Sequence, residues 1–307
     1  MSLYPPPRII EAEPFARLPD RFRVRGRRCA WADANKSGAE LHSFIEGPAF
    51  DRAGRLYLTD IPWGRIFRVS PEGEFDLVAE YDGEPNGIAI HRDGRILVAD
   101  YKQGILCLDP DRGVLTPLVE RWRVERFKGP NDLVFASNGD LFFTDQGLTG
   151  LHDPTGRVFR LSSAGRLDCL IDTVPSPNGI VLNHDESAVY VAVTRANAVW
   201  RLPLLPDGST AKVGLFVQLS GGLSGPDGLA LTEDGGLCVA HAGNGCVWLF
   251  DRLGHPAYRV VVPEGLTTTN VAFGGPEHRT LFVTESETGT VYRADLPVAG
   301  RRLFSHA

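Results

Sequence analysis

The 307-residue sequence is short of several things, and each shortage removes a class of protein. No run approaches the roughly 18 consecutive apolar residues that a membrane span requires, so the chain reads as soluble, with no membrane partner. The N-terminus, M-S-L-Y-P-P-P-R-I-I, lacks a basic stretch followed by an apolar one and does not resemble a secretory signal. Cysteine is sparse: Cys29, Cys107, Cys169, Cys238 and Cys246 are odd in number, scattered and without metal-type spacing. A reducing compartment, the cytoplasm, is the expectation. Positive charge is also short, since 32 Lys and Arg stand against 38 Asp and Glu. That balance excludes nucleic acid as the main partner, because neutralising phosphates needs clustered cations. The one basic cluster, R-F-R-V-R-G-R-R at 21–28, alternates like a solvated strand face. G-x-S-x-G and the glycine-rich phosphate loop are both absent, leaving serine-hydrolase and P-loop chemistry unsupported.

Helical periodicity is nearly absent as well, whereas 34 Gly and 22 Pro fit a chain built of turns. What is present is a repeat. K-G-P-N-D-L-V-F at 128–135 has near-copies in S-P-N-G-I-V-L at 176–182 and G-P-D-G-L-A-L at 225–231. Stepping back four residues from the last apolar residue of each such stretch gives Glu46, Asn86, Asn131, Asn178, Asp227 and Thr269, spaced 40 to 49 residues apart. Behind most anchors comes a turn, such as H-R-D-G-R at 91, and then an apolar run: L-Y-L-T-D, I-L-V-A-D, L-F-F-T-D, L-C-V-A-H, L-F-V-T-E. A third run recurs in every unit, as in G-R-V-F-R-L at 156, and a poorer fourth precedes most connections. Short alternating runs bounded by Gly, Asp and Asn are hairpin strands. Four per unit is the period of a propeller blade.

The sequence therefore predicts an all-β fold, a six-bladed β-propeller of four-stranded antiparallel blades. Residues 1–45 form an N-terminal extension packing on or closing the propeller, and 46–307 form the propeller, with blades starting near 46, 86, 131, 178, 227 and 269. The outer strand that closes the ring is sought in R-F-R-V at 21–24 or R-R-L-F-S at 301–305.

In a propeller the first strand of each blade lines the central channel, so equivalent positions form a ring at one mouth. Here that ring is Glu46, Asn86, Asn131, Asn178, Asp227 and Thr269, each carrying side-chain oxygen. The end of the second strand gives a wider ring: Asp60, Asp100, Asp145, a residue near Val193 or Thr194, His241 and Glu285. Asn and Asp are ordinary turn formers, but Glu46 in the same slot is not. Carboxylates and amides converging on an axis suit a hard divalent cation better than zinc, as the inner ring holds no His or Cys. A metal-bound water and a nearby carboxylate would supply hydrolysis. Asp227 is the favoured base and Asp132 the reserve.

The order E-G-P-A-F, G-P-N-D-L-V-F, S-P-N-G-I-V-L, G-P-D-G-L-A-L, with F-T-D-Q-G and the six-blade spacing, resembles the senescence-marker-protein-30/gluconolactonase/luciferin-regenerating-enzyme family over about residues 40–296. The resemblance implies one divalent metal in the channel, calcium first, with magnesium, manganese or zinc as the alternatives. It implies Glu46, Asn131, Asn178 and Asp227 as its ligands and a small-molecule lactone, of sugar type or related, as substrate. Asn86, Thr269, Asp145, His241 and Glu285 are the candidates to face that substrate. Phosphotriester hydrolysis on the same architecture, or a metal-stapled binding propeller, are the competing expectations. Gly129 departs from the sugar-lactonase branch, where a basic or polar residue often lies two before the first Asn ligand, so the pocket chemistry is expected to differ. The sequence leaves the oligomeric state open.

Overall fold

A computed structural model describes residues 5–306. Its main-chain pairing forms six blade sheets in chain order around an axis, each with its first strand innermost, and one separate two-stranded hairpin in which Arg121–Trp122 pairs with Glu125–Arg126. The inner strands are Ile45–Phe50, Pro85–Ile90, Pro130–Phe135, Pro177–Leu182, Gly225–Leu231 and Thr268–Gly274. The fold is thus a six-bladed β-propeller made mostly of four-stranded antiparallel sheets.

The N-terminal segment supplies two outer strands. Glu13–Arg17 pairs antiparallel with Thr290–Asp295 and completes the sixth blade, while Arg8–Glu11 adds a parallel fifth strand to the blade before it. Closure therefore uses neither of the stretches the sequence suggested. Residues 21–24 begin inside a 3-10 turn at Asp20–Phe22, and 301–305 run into another at Phe304–His306. Pro14 is tolerated in the closing strand because the strand lies at a sheet edge. Its neighbours Ala16 and Leu18 are buried between the first and last blades with Phe67, Phe282 and Val291, so the clasp is apolar as well as hydrogen-bonded.

Every inner strand is irregular at the same place. The register against the second strand shifts between Glu46 and Ala49, Pro85 and Ile88, Pro130 and Leu133, Pro177 and Ile180, Pro226 and Leu229, and Thr268 and Asn270. The repeated Pro-Asn/Asp-Gly signal thus codes for a bulge inside a strand, a device that re-aims side chains. Glycine follows the ring residue in four blades because the next blade comes too close for a side chain. A Cβ on Gly47 would run into the Asn86 carbonyl, one on Gly87 into the Asp132 carboxylate, and one on Gly179 into the Asp227 carbonyl. Threonine hydroxyls tie adjacent blades at this level: Thr59 donates to the Asn86 carbonyl and Thr144 to that of Asn178, each at 2.7 Å, and Thr194 to Pro226 at 2.8 Å.

Beyond the bulges the inner strands turn apolar. Ile88, Leu133, Ile180, Leu229 and Val271 line a cavity of about 130 Å³ in the far half of the channel, closed by residues 301–304. Arg301 fastens that plug through Glu186 at 2.7 Å and the Asn183 carbonyl at 2.8 Å.

Candidate functional site

At the bulges, Glu46, Asn86, Asn131 and Asn178 are buried, while Asp227 keeps partial contact with solvent. The amide nitrogen of Asn131 donates to Gln146 Oε1 at 2.9 Å, and the Asn178 side chain hydrogen-bonds the Asp227 carboxylate. Since an amide that donates through nitrogen still has its carbonyl oxygen, both asparagines keep an acceptor to offer. Asn86 is held by its own carbonyl to Thr59. Thr269 departs from its ring neighbours. It is wholly buried, with its hydroxyl engaged by the Ile45 carbonyl at 3.1 Å and by Thr284 at 2.9 Å, so it joins blades instead of facing a ligand.

The residue after Thr269 does more. Asn270 donates to Glu46 Oε2 at 2.9 Å and also hydrogen-bonds Asp132, linking two carboxyl groups across the axis. The sequence reading missed it; the available signal was that only Asp132 and Asn270 replace glycine directly after a ring position. Asp132 accepts from Leu133 N at 2.8 Å and from Ile180 N, and it borders the far, apolar cavity.

These groups make a concentration of negative charge. Burial, then the charges of Asp227 and Asp132, hold the Glu46 carboxyl well above its ordinary range. Burial pushes Asp227 up to about 7 against the pull of Lys36, and pushes Asp132 up to about 7 despite its hydrogen bonds. Three crowded carboxyls without a hydrogen-bonded counter-cation disfavour their own ionisation, and a cation among them reverses that effect. The donors are all oxygen, which fits a hard cation. Among the described residues no group of three or more His, Cys, Asp or Glu is arranged as a metal site on its own. Any site here depends on the asparagine amides beside Glu46 and Asp227.

The wider ring has another occupation. Asp60 accepts from Phe44 N at 2.7 Å, Asp100 from Glu84 N at 2.9 Å, Asp145 from Gly129 N at 2.8 Å, and Glu285 from Thr267 N at 3.1 Å. Each of those N–H groups lies two residues before a ring residue. Asp60 is further bound by Arg65 and Asp145 by Arg157, at 2.9 and 2.7 Å through Nε, and all four carboxylates are fully buried. Asp145 and Glu285 therefore anchor the strand entries, and the expectation that they face a substrate is corrected by the saturation of their oxygens. His241 is also fully buried, its Nδ1 taken by Trp248 Nε1 at 3.1 Å, and burial lowers its pKa toward the neutral ring.

The mouth is walled on one side by the helix Ala30–Asn35, held over the first blade by Trp31, Phe44 and Ile61. Between it and the loop after the third blade's second strand lies a cleft of about 540 Å³ that includes Asn35, Gln146, Thr149, Ser176 and Arg195. Gln146 bridges this cleft to the ring, accepting from Asn131 and donating to Ser176 Oγ at 2.9 Å.

A six-bladed propeller with an oxygen-only acidic cluster at one mouth and a cleft beside it defines the class. The chain belongs to the SMP-30/Gluconolactonase/LRE-like family, whose model matches residues 44–287. It is 32% identical over 244 residues to the lactonase drp35 of Staphylococcus aureus, covering 76% of this chain and 73% of that protein. The lactonase drp35 of Staphylococcus saprophyticus is 31% identical over 242 residues, with the same coverage. Two solved structures share the fold. The calcium-binding protein regucalcin of Agrobacterium tumefaciens superposes with a TM-score of 0.77 at 22% identity, covering 98% of this chain and 99% of that one. A gluconolactonase of Xanthomonas campestris gives 0.74 at 24%, covering 96% and 99%.

Proposed function

We propose that the chain is a divalent-metal-dependent hydrolase that opens the ring of a small lactone at the channel mouth. The observation that carries the reading is the cluster of Glu46, Asp227, Asn131 and Asn178, with one buried carboxyl, one that keeps partial contact with solvent, and two available amide oxygens. These four would hold the cation, calcium first by its preference for oxygen. When bound, the cation polarises the lactone carbonyl and acidifies a water.

The remaining roles fall to the protein. Asp227, the ring carboxylate that reaches solvent, takes the proton from the attacking water. Asn178, hydrogen-bonded to Asp227, orients it. Asn270 keeps Glu46 in place, and Gln146 does the same for Asn131. Asp132 borders the apolar cavity with its oxygens taken by peptide N–H groups and Asn270, which supports Asp227 over it as the base. The relatives named lactonases support the reaction class. The five cysteines are all free, in keeping with the cytoplasmic, reducing location proposed for the protein.

The test is a panel of sugar and aromatic lactones assayed with calcium, magnesium or manganese and after chelation. Hydrolysis of at least one lactone, lost on chelation and restored by metal, is the expected result. Full activity in protein shown by elemental analysis to be metal-free would overturn the mechanism.

A further inference from the structure

Two cations at the mouth have no part in the chemistry just described. Lys36 follows the helix Ala30–Asn35, and its ammonium lies 4.5 Å from the centre of the Phe44 ring. It is half-buried and makes no hydrogen bond or ion pair among the described residues. Burial pulls its pKa down, opposed first by the charge of Asp227. Arg195 rises from the 3-10 turn Thr194–Ala196, exposed, without an ion pair among the described residues, and within electrostatic reach of both Lys36 and Asp227. It lines the same cleft as Gln146 and Ser176.

Bringing an ammonium and a guanidinium together is unfavourable unless something negative sits between them. Asp227 serves as far as the protein's own groups go, but a divalent cation on Glu46 and Asp227 would cancel those charges. Glu287 also acts on Lys36, though its oxygens are already engaged by Leu266 N at 3.1 Å and the Thr267 hydroxyl at 2.6 Å. With metal bound, Arg195 in the cleft lining and Lys36, next in the chain to the lining residue Asn35, would both have their donors unspent. A carboxylate accepts from both kinds of donor in short, strong hydrogen bonds.

We propose that Lys36 and Arg195 form an anion-recognising pair, and that the substrate is a lactone bearing a carboxylate outside its ring. This rests on the lactonase reading for the ring-opening step, but the recognition itself does not require turnover. Lys36 carries the larger share, since an exposed arginine is screened by solvent.

The experiment has two arms, each using full-length protein with calcium. In the first, kcat and KM are measured for a carboxylate-bearing lactone and for its neutral methyl ester, with wild type, Lys36→Met, Arg195→Met and the double variant. The wild type should favour the anionic lactone by about tenfold in kcat/KM, expressed in KM, and the preference should shrink more in Lys36→Met than in Arg195→Met and vanish in the double variant. A merely structural role for the pair would leave that ratio unmoved. In the second arm, calorimetry compares binding of adipate with its monoamide, adipamate, which needs no hydrolysis. Tighter adipate binding in wild type by about tenfold, lost in the double variant, supports the pair even if no lactone is turned over, in which case only the lactonase reading fails. Equal binding of the two probes by wild type, or a preference that survives the double variant, overturns the proposal.

Discussion

The inner and outer rings of the mouth both hold carboxylates, and those carboxylates do different things. Asp60, Asp100, Asp145 and Glu285 are spent on peptide N–H groups, and two of them on arginines. Glu46 and Asp227 have only asparagine side chains and one local N–H, and repel each other. A buried carboxylate whose acceptors are filled by its own fold is a brace; one whose neighbours are other carboxylates would be relieved by a cation. The difference is visible in the hydrogen-bond partners and invisible in the residue type. An acidic outer ring is therefore no sign of catalysis in itself: that ring holds the strands.

Breaking the inner ring should cost function and breaking the outer ring should cost stability. The largest effect is expected at Asp227. Asp227→Asn keeps an oxygen ligand and removes the base, so kcat on the best lactone should fall ~10²–10⁴-fold at saturating metal. Recovery of wild-type turnover on adding metal would make Asp227 a ligand only and send the search for the base elsewhere.

Asp145→Ala comes next. It strands Arg157 and the Gly129 N–H in a buried site, which should cost about 3–5 kcal/mol of unfolding free energy in denaturant titrations, with or without metal. A loss that appears only in the metal-loaded protein would place Asp145 in the inner ring's class. Thr144→Val, which deletes the hydroxyl donated to the Asn178 carbonyl, is the smallest perturbation, about 1 kcal/mol. Thr269→Ala should likewise lower stability and leave metal affinity as it is in wild type. A large drop in metal affinity for Thr269→Ala would return it to the ligand set.

Much of this was legible in the sequence because the bulge imposes chemistry at a fixed register. The strand must admit a neighbour's backbone, so glycine follows the ring residue in four blades, and an apolar run follows because the channel beyond is lined by apolar side chains. The bulge itself repeats in every blade, and repetition made it readable. The clasp was not legible: E-P-F-A-R has no alternation to mark it as a strand, and its partner Thr290–Asp295 is nearly 280 residues away. The sixth blade misled for a subtler reason. Thr269 occupies the ring register, but its short side chain donates its hydroxyl to the nearby carbonyl of Ile45, and Asn270 reaches Glu46 instead. Lys36 was hidden because a six-residue helix has too few turns to show periodicity.

The proposed metal site requires that Glu46, crowded by burial and by Asp227 and Asp132, gain its ionisation from a cation. Calorimetric titration of calcium into chelator-stripped wild type and Glu46→Gln, with denaturant unfolding of both metal-free proteins, tests it directly. Glu46→Gln should lose at least tenfold in calcium affinity while its metal-free form is as stable as wild type or more so, because a repelled buried carboxyl has been removed. Unchanged calcium affinity, together with a metal-free form markedly less stable than wild type, would contradict it and class Glu46 with the braces of the outer ring.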